Sequence, residues 1–202
     1  MPWSPYPFIR SRITHSIDRK EQKMSRPRKP AIVWKGKFLR VMKVGRWEYA
    51  ERVNAIAGVV IVAVTKEGNL LLTEQERLPV GKRVIELPAG LAGDVKGNET
   101  EELAVAAKRE LLEETGYEAG ELTWLTAGPP SPGLSSEMVT FFRATGLRRV
   151  SAGGGEGNEK SVAHEVPVRT CEKWLKDRLA EGMLVDPKVY VGLFFALPPK
   201  YP

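Results

Sequence analysis

The sequence predicts an α/β fold, a sheet sandwiched by helices and preceded by a β-rich N-terminal segment. Three observations carry this. Short stretches rich in β-branched and aromatic residues, punctuated by glycine and turn residues, dominate from Ala31 to Gly90. One stretch rich in Ala, Leu, Glu and Lys, residues 99–116, reads as a helix. Further β-like runs then give way to two helical segments around 169–182 and 187–197.

Taken in order, residues 1–30 hold five prolines and no sustained apolar period, and read as a poorly ordered basic tail. Their Arg and Ser content faintly resembles a transit peptide, but the prolines spoil an amphipathic helix. Met24 is an alternative start. "AIVWKGKFLRVMKV", a turn at Gly45 and "RWEYAERVN" make an N-terminal β segment, 31–56. The main domain, 57–202, opens with "AGVVIVAVT", then "KEGN" as a hairpin turn, then "LLLTEQE". "RVIELPAG" leads through a glycine-containing loop to "ETEELAVAAKRELLEETG", closed by Gly116 as the residue after the helix, with Asn98 and Glu101 spaced as a capping box. "ELTWLTA" and "EMVTFFRAT" follow, separated by "GPPSPGLSS"; then come the glycine-rich "SAGGGEGNEK", the strand-like "SVAHEVPV" and the final helices. Connections of this kind are mostly antiparallel.

Composition narrows the chemistry. A single cysteine, Cys171, excludes an intramolecular disulfide and a thiolate zinc cluster, and suits a reducing, cytoplasmic setting. With only His15 and His164, histidine-centred catalysis is disfavoured and carboxylates must carry the work. The longest apolar run, "AIAGVVIVAV", is far too short for a membrane span. The net charge of +6 divides into +11 for residues 1–46 and −5 for the remainder. The basic segment lacks the aromatic interleaving of a nucleic-acid module and reads as solvated.

Against that background "KRELLEETGY" stands out. At about 100° per residue, Glu110, Glu113 and Glu114 fall within an arc of about 100° on one helix face. Like charges at this spacing weaken a helix, and those near its C-terminal end also oppose its dipole. A solvated face partly offset by Lys108 and Arg109 is one account. A divalent cation held by the carboxylates is the other: Mg²⁺ and Mn²⁺ take oxygen ligands and bridge to phosphates.

"RELLEETGY", with Glu101 seven residues upstream, resembles the Nudix box, whose pattern is Gly, five residues, Glu, seven residues, Arg-Glu-aliphatic-any-Glu-Glu-any-Gly-aliphatic. Arg109, Glu110, Leu111, Glu113, Glu114 and Gly116 match, and Tyr117 takes the last apolar place. One position departs: Val95 stands where the pattern has glycine, and the counterpart is Gly90 of "ELPAG", so the loop carries a five-residue insertion. That insertion leaves the role of Glu101 open, down to a mere helix cap. The resemblance implies an α/β/α sandwich with a mixed sheet.

Beyond the box, "RWEYAERVN", "EQERLPVGKRVIELPAGL" and Pro132 are similar to the ADP-ribose pyrophosphatase branch, over roughly residues 45–200. The implied activity is Mg²⁺- or Mn²⁺-dependent hydrolysis of ADP-ribose or a similar nucleoside diphosphate sugar. Implied metal ligands are Glu110, Glu113, Glu114 and the Ala89 carbonyl, with Arg109 orienting the glutamates. Trp47 and Glu48 lie where that branch places an aromatic against the base; Arg77, Gly90, Pro132 and Glu137 are the other candidate substrate residues. Trp47 and Tyr49, on one strand face, would make a stacking platform, or simple packing. Arg77 would grip a diphosphate, or form a surface ion pair. The base that activates water would be a loop glutamate, Glu159 by its position before "VAHEV", with Glu156 and Glu137 as alternatives. The branch further implies a homodimer built through residues 31–55. Rival readings are hydrolysis of NADH or GDP-mannose, and a non-catalytic sensor of ADP-ribose-like ligands.

Overall fold

The computed structural model describes residues 29–94, 97, 99–155 and 161–197, so the reading of the N-terminal tail lies almost wholly outside it, as do Asn98, Glu156 and Glu159. β1 (Ala31–Lys35), β2 (Leu39–Val44) and β3 (Trp47–Arg52) form an antiparallel three-stranded sheet in the order β1-β2-β3. β3 holds it to the rest: Ala50 N–H donates to Leu134 O at 2.8 Å, Ser136 N–H donates to Ala50 O at 3.1 Å, and Arg52 pairs with Glu137 at 2.6 Å.

The main body is organised by β4 (Ala57–Ala63), whose residues are buried on both faces after the first. A continuous apolar run suits a strand covered on both sides. β4 lies between β7 (Ala89–Ala92), antiparallel, and β10 (Val139–Thr145), parallel; β9 (Glu121–Gly128) pairs antiparallel with β10 on the outside. A second sheet has the order β12-β5-β6-β13: β5 (Asn69–Arg77) pairs antiparallel with β12 (Ser161–Pro167) and β6 (Lys82–Glu86), and the short β13 (Leu184–Val185) runs parallel to β6. β8 (Tyr117–Glu118) and β11 (Arg148–Arg149) make a minor ribbon. The antiparallel expectation thus holds for most ladders, with two parallel pairs added.

Strand alternation splits the core into two layers. Val60 and Val62 of β4, with Leu70, Leu72, Ile85 and Phe141, pack against α2 (Cys171–Ala180) and α3 (Lys188–Ala196) through Leu175, Val189 and Leu193. Val59, Ile61 and Ala63 face the opposite way, onto Ala106, Ala107 and Leu111 of α1 (Leu103–Thr115). Helices on both faces of mixed sheets give the α/β sandwich that the sequence predicts. α1 begins later than the sequence pattern suggests. Glu102 occupies its N-cap with no side-chain cap bond, so the proposed capping box does not start this helix. At the other end Gly116 adopts φ 76°, a left-handed cap that glycine enters without strain.

Candidate active site

Because α1 buries Ala106, Ala107 and Leu111 against the sheet, its polar stripe of Arg109, Glu110, Glu113 and Glu114 is turned toward the loop before β7 and the end of β5. Glu114 is only 5% exposed. One of its carboxylate oxygens accepts from Gln75 Nε2 at 2.5 Å and the other from the Ala89 backbone N–H at 3.0 Å. Both donors are neutral. Burial therefore pushes the Glu114 carboxyl up to about 8; the Ala89 N–H opposes this, the charges of Glu110 and Glu86 add to it, and Arg77 eases it. Glu110 is pushed up to about 7, first by burial, with Arg109 opposing and Glu113 and Asp94 reinforcing.

Arg109 ties the helix to its surroundings. Its guanidinium donates to Glu110 at 2.9 Å, Glu113 at 3.2 Å, the Leu91 carbonyl at 3.0 Å and both oxygens of Glu101 at 3.2 and 3.3 Å. Burial alone would lower its pKa, but the Glu101 hydrogen bond and the charges of Glu110 and Glu113 hold it further up, so it stays cationic. Glu101 itself is 6% exposed and also accepts from Gly93 N–H. It is an anchor for Arg109, a role that the loop insertion hid in the sequence. Gly90 leaves the space that Glu110 fills: a Cβ there would lie 1.9 Å from the Glu110 carboxyl carbon.

These groups open onto a cavity of about 340 Å³. Ala89, Gly90, Glu110 and Glu114 form one wall, and Arg77 and Glu137 also line it. Arg77 lies against Glu86 at 2.7 Å, and Glu137 against Arg52 at 2.6 Å. Glu113 is not among the lining residues. Trp47 and Glu48 sit on β3 outside the cavity; Trp47 is exposed, and Glu48 pairs with Lys43 at 2.8 Å. Pro132 is exposed in the turn before β10, and Pro130 is the proline that reaches the cavity. Arg52, Gln75, Glu86, Asp94 and Lys188 also line the cavity, and no motif in the sequence marks them. Their only available signal was strand alternation, which puts Gln75 on the same face as Arg77.

Among the described residues no three acidic or histidine side chains converge as a ready-made metal cage. In this arrangement Glu110 and Glu113 both accept from Arg109. The donor chemistry nonetheless fits a hard divalent cation: buried carboxylates, crowded and held by neutral partners at Glu114, are groups whose ionised form a cation would stabilise. The glycine-rich loop after β11 leaves from the last turn of α1, bonded to its main-chain carbonyls. Gly154 N–H donates to Glu114 O and Gly155 N–H to Glu113 O, each at 3.0 Å, and Ser161 N–H returns to Gly154 O.

Residues 55–179 match the family model for the NUDIX domain. The chain is 32% identical to the methanol dehydrogenase activator of Bacillus methanolicus over 76% of its own length and 81% of that protein. It is 40% identical to the ADP-ribose pyrophosphatase of Bacillus subtilis over 51% of its own length, spanning only about half of that relative, 53%. A crystal structure of an ADP compounds hydrolase shares the fold, with a TM-score of 0.55 at 21% identity over 74% of this chain and 85% of that one. The box on α1, the family match and these relatives agree: the chain belongs to the Nudix family of pyrophosphohydrolases and resembles its ADP-ribose pyrophosphatase branch.

Proposed function

We propose that this protein hydrolyses the diphosphate bond of ADP-ribose or a similar nucleoside diphosphate sugar, releasing AMP and a sugar phosphate, with Mg²⁺ or Mn²⁺ as cofactor. The observation that carries this reading is the pair of buried Glu114 and half-buried Glu110, facing one cavity with Arg52, Arg77 and Lys188. Acids alone would repel a diphosphate, and cations alone would bind it without activating water.

Glu110, Glu114 and Glu113, with the Ala89 carbonyl, would hold the cation. When bound it polarises phosphoryl oxygens and makes a coordinated water more acidic. The protein's own groups do the rest. Arg109 keeps Glu110 and Glu113 in place and does not touch substrate. Arg77 offers its planar fork to the diphosphate, for which it must share Glu86. Water attacks phosphorus, the bridging P–O bond breaks, and a loop glutamate takes the water's proton. Glu159 is our choice, by its position just before "VAHEV" in the sequence.

Ile32, Val33, Trp34, Phe38 and Trp47 leave the N-terminal sheet with much exposed apolar surface. Such surface suits a homodimer interface. Trp47 and Glu48 would then act at the partner's nucleotide site. A cytoplasmic setting is part of the same reading; among the described residues no helix is long and apolar enough to cross a membrane.

The test is product analysis with ADP-ribose, NADH and GDP-mannose, each with and without Mg²⁺. Mg²⁺-dependent AMP and sugar phosphate from ADP-ribose is the expected result. Preference for another member of the panel would reassign the substrate. Calorimetric binding of ADP-ribose with no phosphate-ester product would instead indicate a sensor.

A further inference from the structure

Gln75 touches Glu114 but would bind neither the cation nor the substrate. It lies in β5, which is hydrogen-bonded on both sides: Gln75 stands opposite Ser161 of β12 and Val84 of β6. Its backbone position is therefore fixed from two directions. Its side chain is 9% exposed and lines the cavity. Alternation along "TEQER" puts Gln75 and Arg77 on the cavity side and Glu74 on the other, where Glu74 pairs with Arg83 and with His164 at 2.8 Å.

From this geometry we infer that Gln75 is a positioning residue, which aims the Glu114 carboxylate at the cation without neutralising it. The inference rests on the reading that Glu114 holds the cation. Among the described residues each Glu114 oxygen has one N–H donor, Gln75 Nε2 on one and Ala89 N on the other. Two donors from separate strands fix the plane of the carboxylate, and each oxygen keeps a further lone pair for a metal ion. A neutral amide suits this task. Arg or Lys at position 75 would compete with the cation for the same charge, and Leu or Met would leave one oxygen free to swing. Partners behind a metal ligand of this kind are commonly worth 10- to 100-fold in metal affinity.

Mn²⁺ binding to the full-length protein, measured by electron paramagnetic resonance without substrate, tests the inference. Gln75→Met should weaken Mn²⁺ binding by about 10-fold. Glu114→Gln should weaken it at least as much, and adding Gln75→Met to Glu114→Gln should cost little more, because the two residues act through one carboxylate. Wild-type Mn²⁺ affinity in folded Gln75→Met, while Glu114→Gln loses binding, overturns the role of Gln75 alone. Wild-type affinity in Glu114→Gln overturns the metal reading beneath it as well. A loss for Gln75→Met that persists undiminished in the double variant also overturns the inference. Should Gln75→Met not fold, Mg²⁺ titration of the unaltered protein by NMR decides. The Gln75 side-chain amide resonances must shift with the ion, and unmoved resonances count against the proposal.

Discussion

Glu114 and Glu110 are acids that the fold makes reluctant to ionise, since burial pushes them to about 8 and about 7 from the ordinary 4.5. Above pH 4.5 the unfolded chain releases protons that the folded, metal-free protein still holds. The contribution of these two groups to stability is therefore fully present below that pH and is lost as pH rises through 7 and 8. A cation needs the ionised forms, so its binding strengthens over the same range. Thermal melts should show a larger Mg²⁺-induced rise in Tm at pH 8.5 than at pH 6; an equal or smaller rise would refute the assignment. Glu114→Gln should fold, melt no lower than the wild type in metal-free buffer at pH 8, and lose about 10²-fold or more in kcat. Gly90→Ala should likewise lower kcat while leaving the fold intact, because its Cβ needs the space of the Glu110 carboxyl. At this scale the sequence was informative where a motif existed. Helical spacing put Glu110 and Glu114 on one face, and only the resemblance to the Nudix box singled them out with Arg109, whereas Gln75, Arg52 and Lys188 reach the cavity from three distant segments and share no local pattern.

The elements themselves were legible wherever period and length agreed. The buried strand at 57–63, the long β5 and the box helix each carry their own signature. What escaped were pairs too short to show a period: β8, β11 and β13 have two residues each. Parallel pairing of β4 with β10 was hidden too, because it joins segments some eighty residues apart. The start of α1 was misplaced because the acidic "ETEE" looks helical, while Glu101 is drawn off the helix by Arg109 and Gly93. One contact between elements matters for activity. The loop of residues 151–155 lies on the C-terminal end of α1, and Gly153 has φ 69° with space for no Cβ, which would come 2.5 Å from the Thr115 carbonyl carbon. Gly153→Ala should cost about 1 kcal/mol or more in stability and reduce kcat more than it raises KM, since it displaces the anchor of the loop glutamates. Chemical denaturation and steady-state kinetics on the variant check both parts.

For the whole molecule, the body packs its core in two layers, while the three-stranded N-terminal sheet contributes only Met42 to the buried apolar residues. β1 is exposed along its length, and Trp34, Phe38 and Trp47 are each more than half exposed. Gel filtration with light scattering should report a dimer, and Trp34→Glu should shift it toward monomer and raise the KM for ADP-ribose if residues of β3 serve the partner's site. A wild-type monomer with full activity would remove the dimer from the account. Catalysis, however, turns on the acids of α1. Release of AMP from ADP-ribose by the wild type and by Glu114→Gln, each with Mg²⁺ and with a chelator, addresses it most directly. Rapid release is expected only for the wild type with Mg²⁺. Undiminished release in the chelator, or by Glu114→Gln, would contradict it.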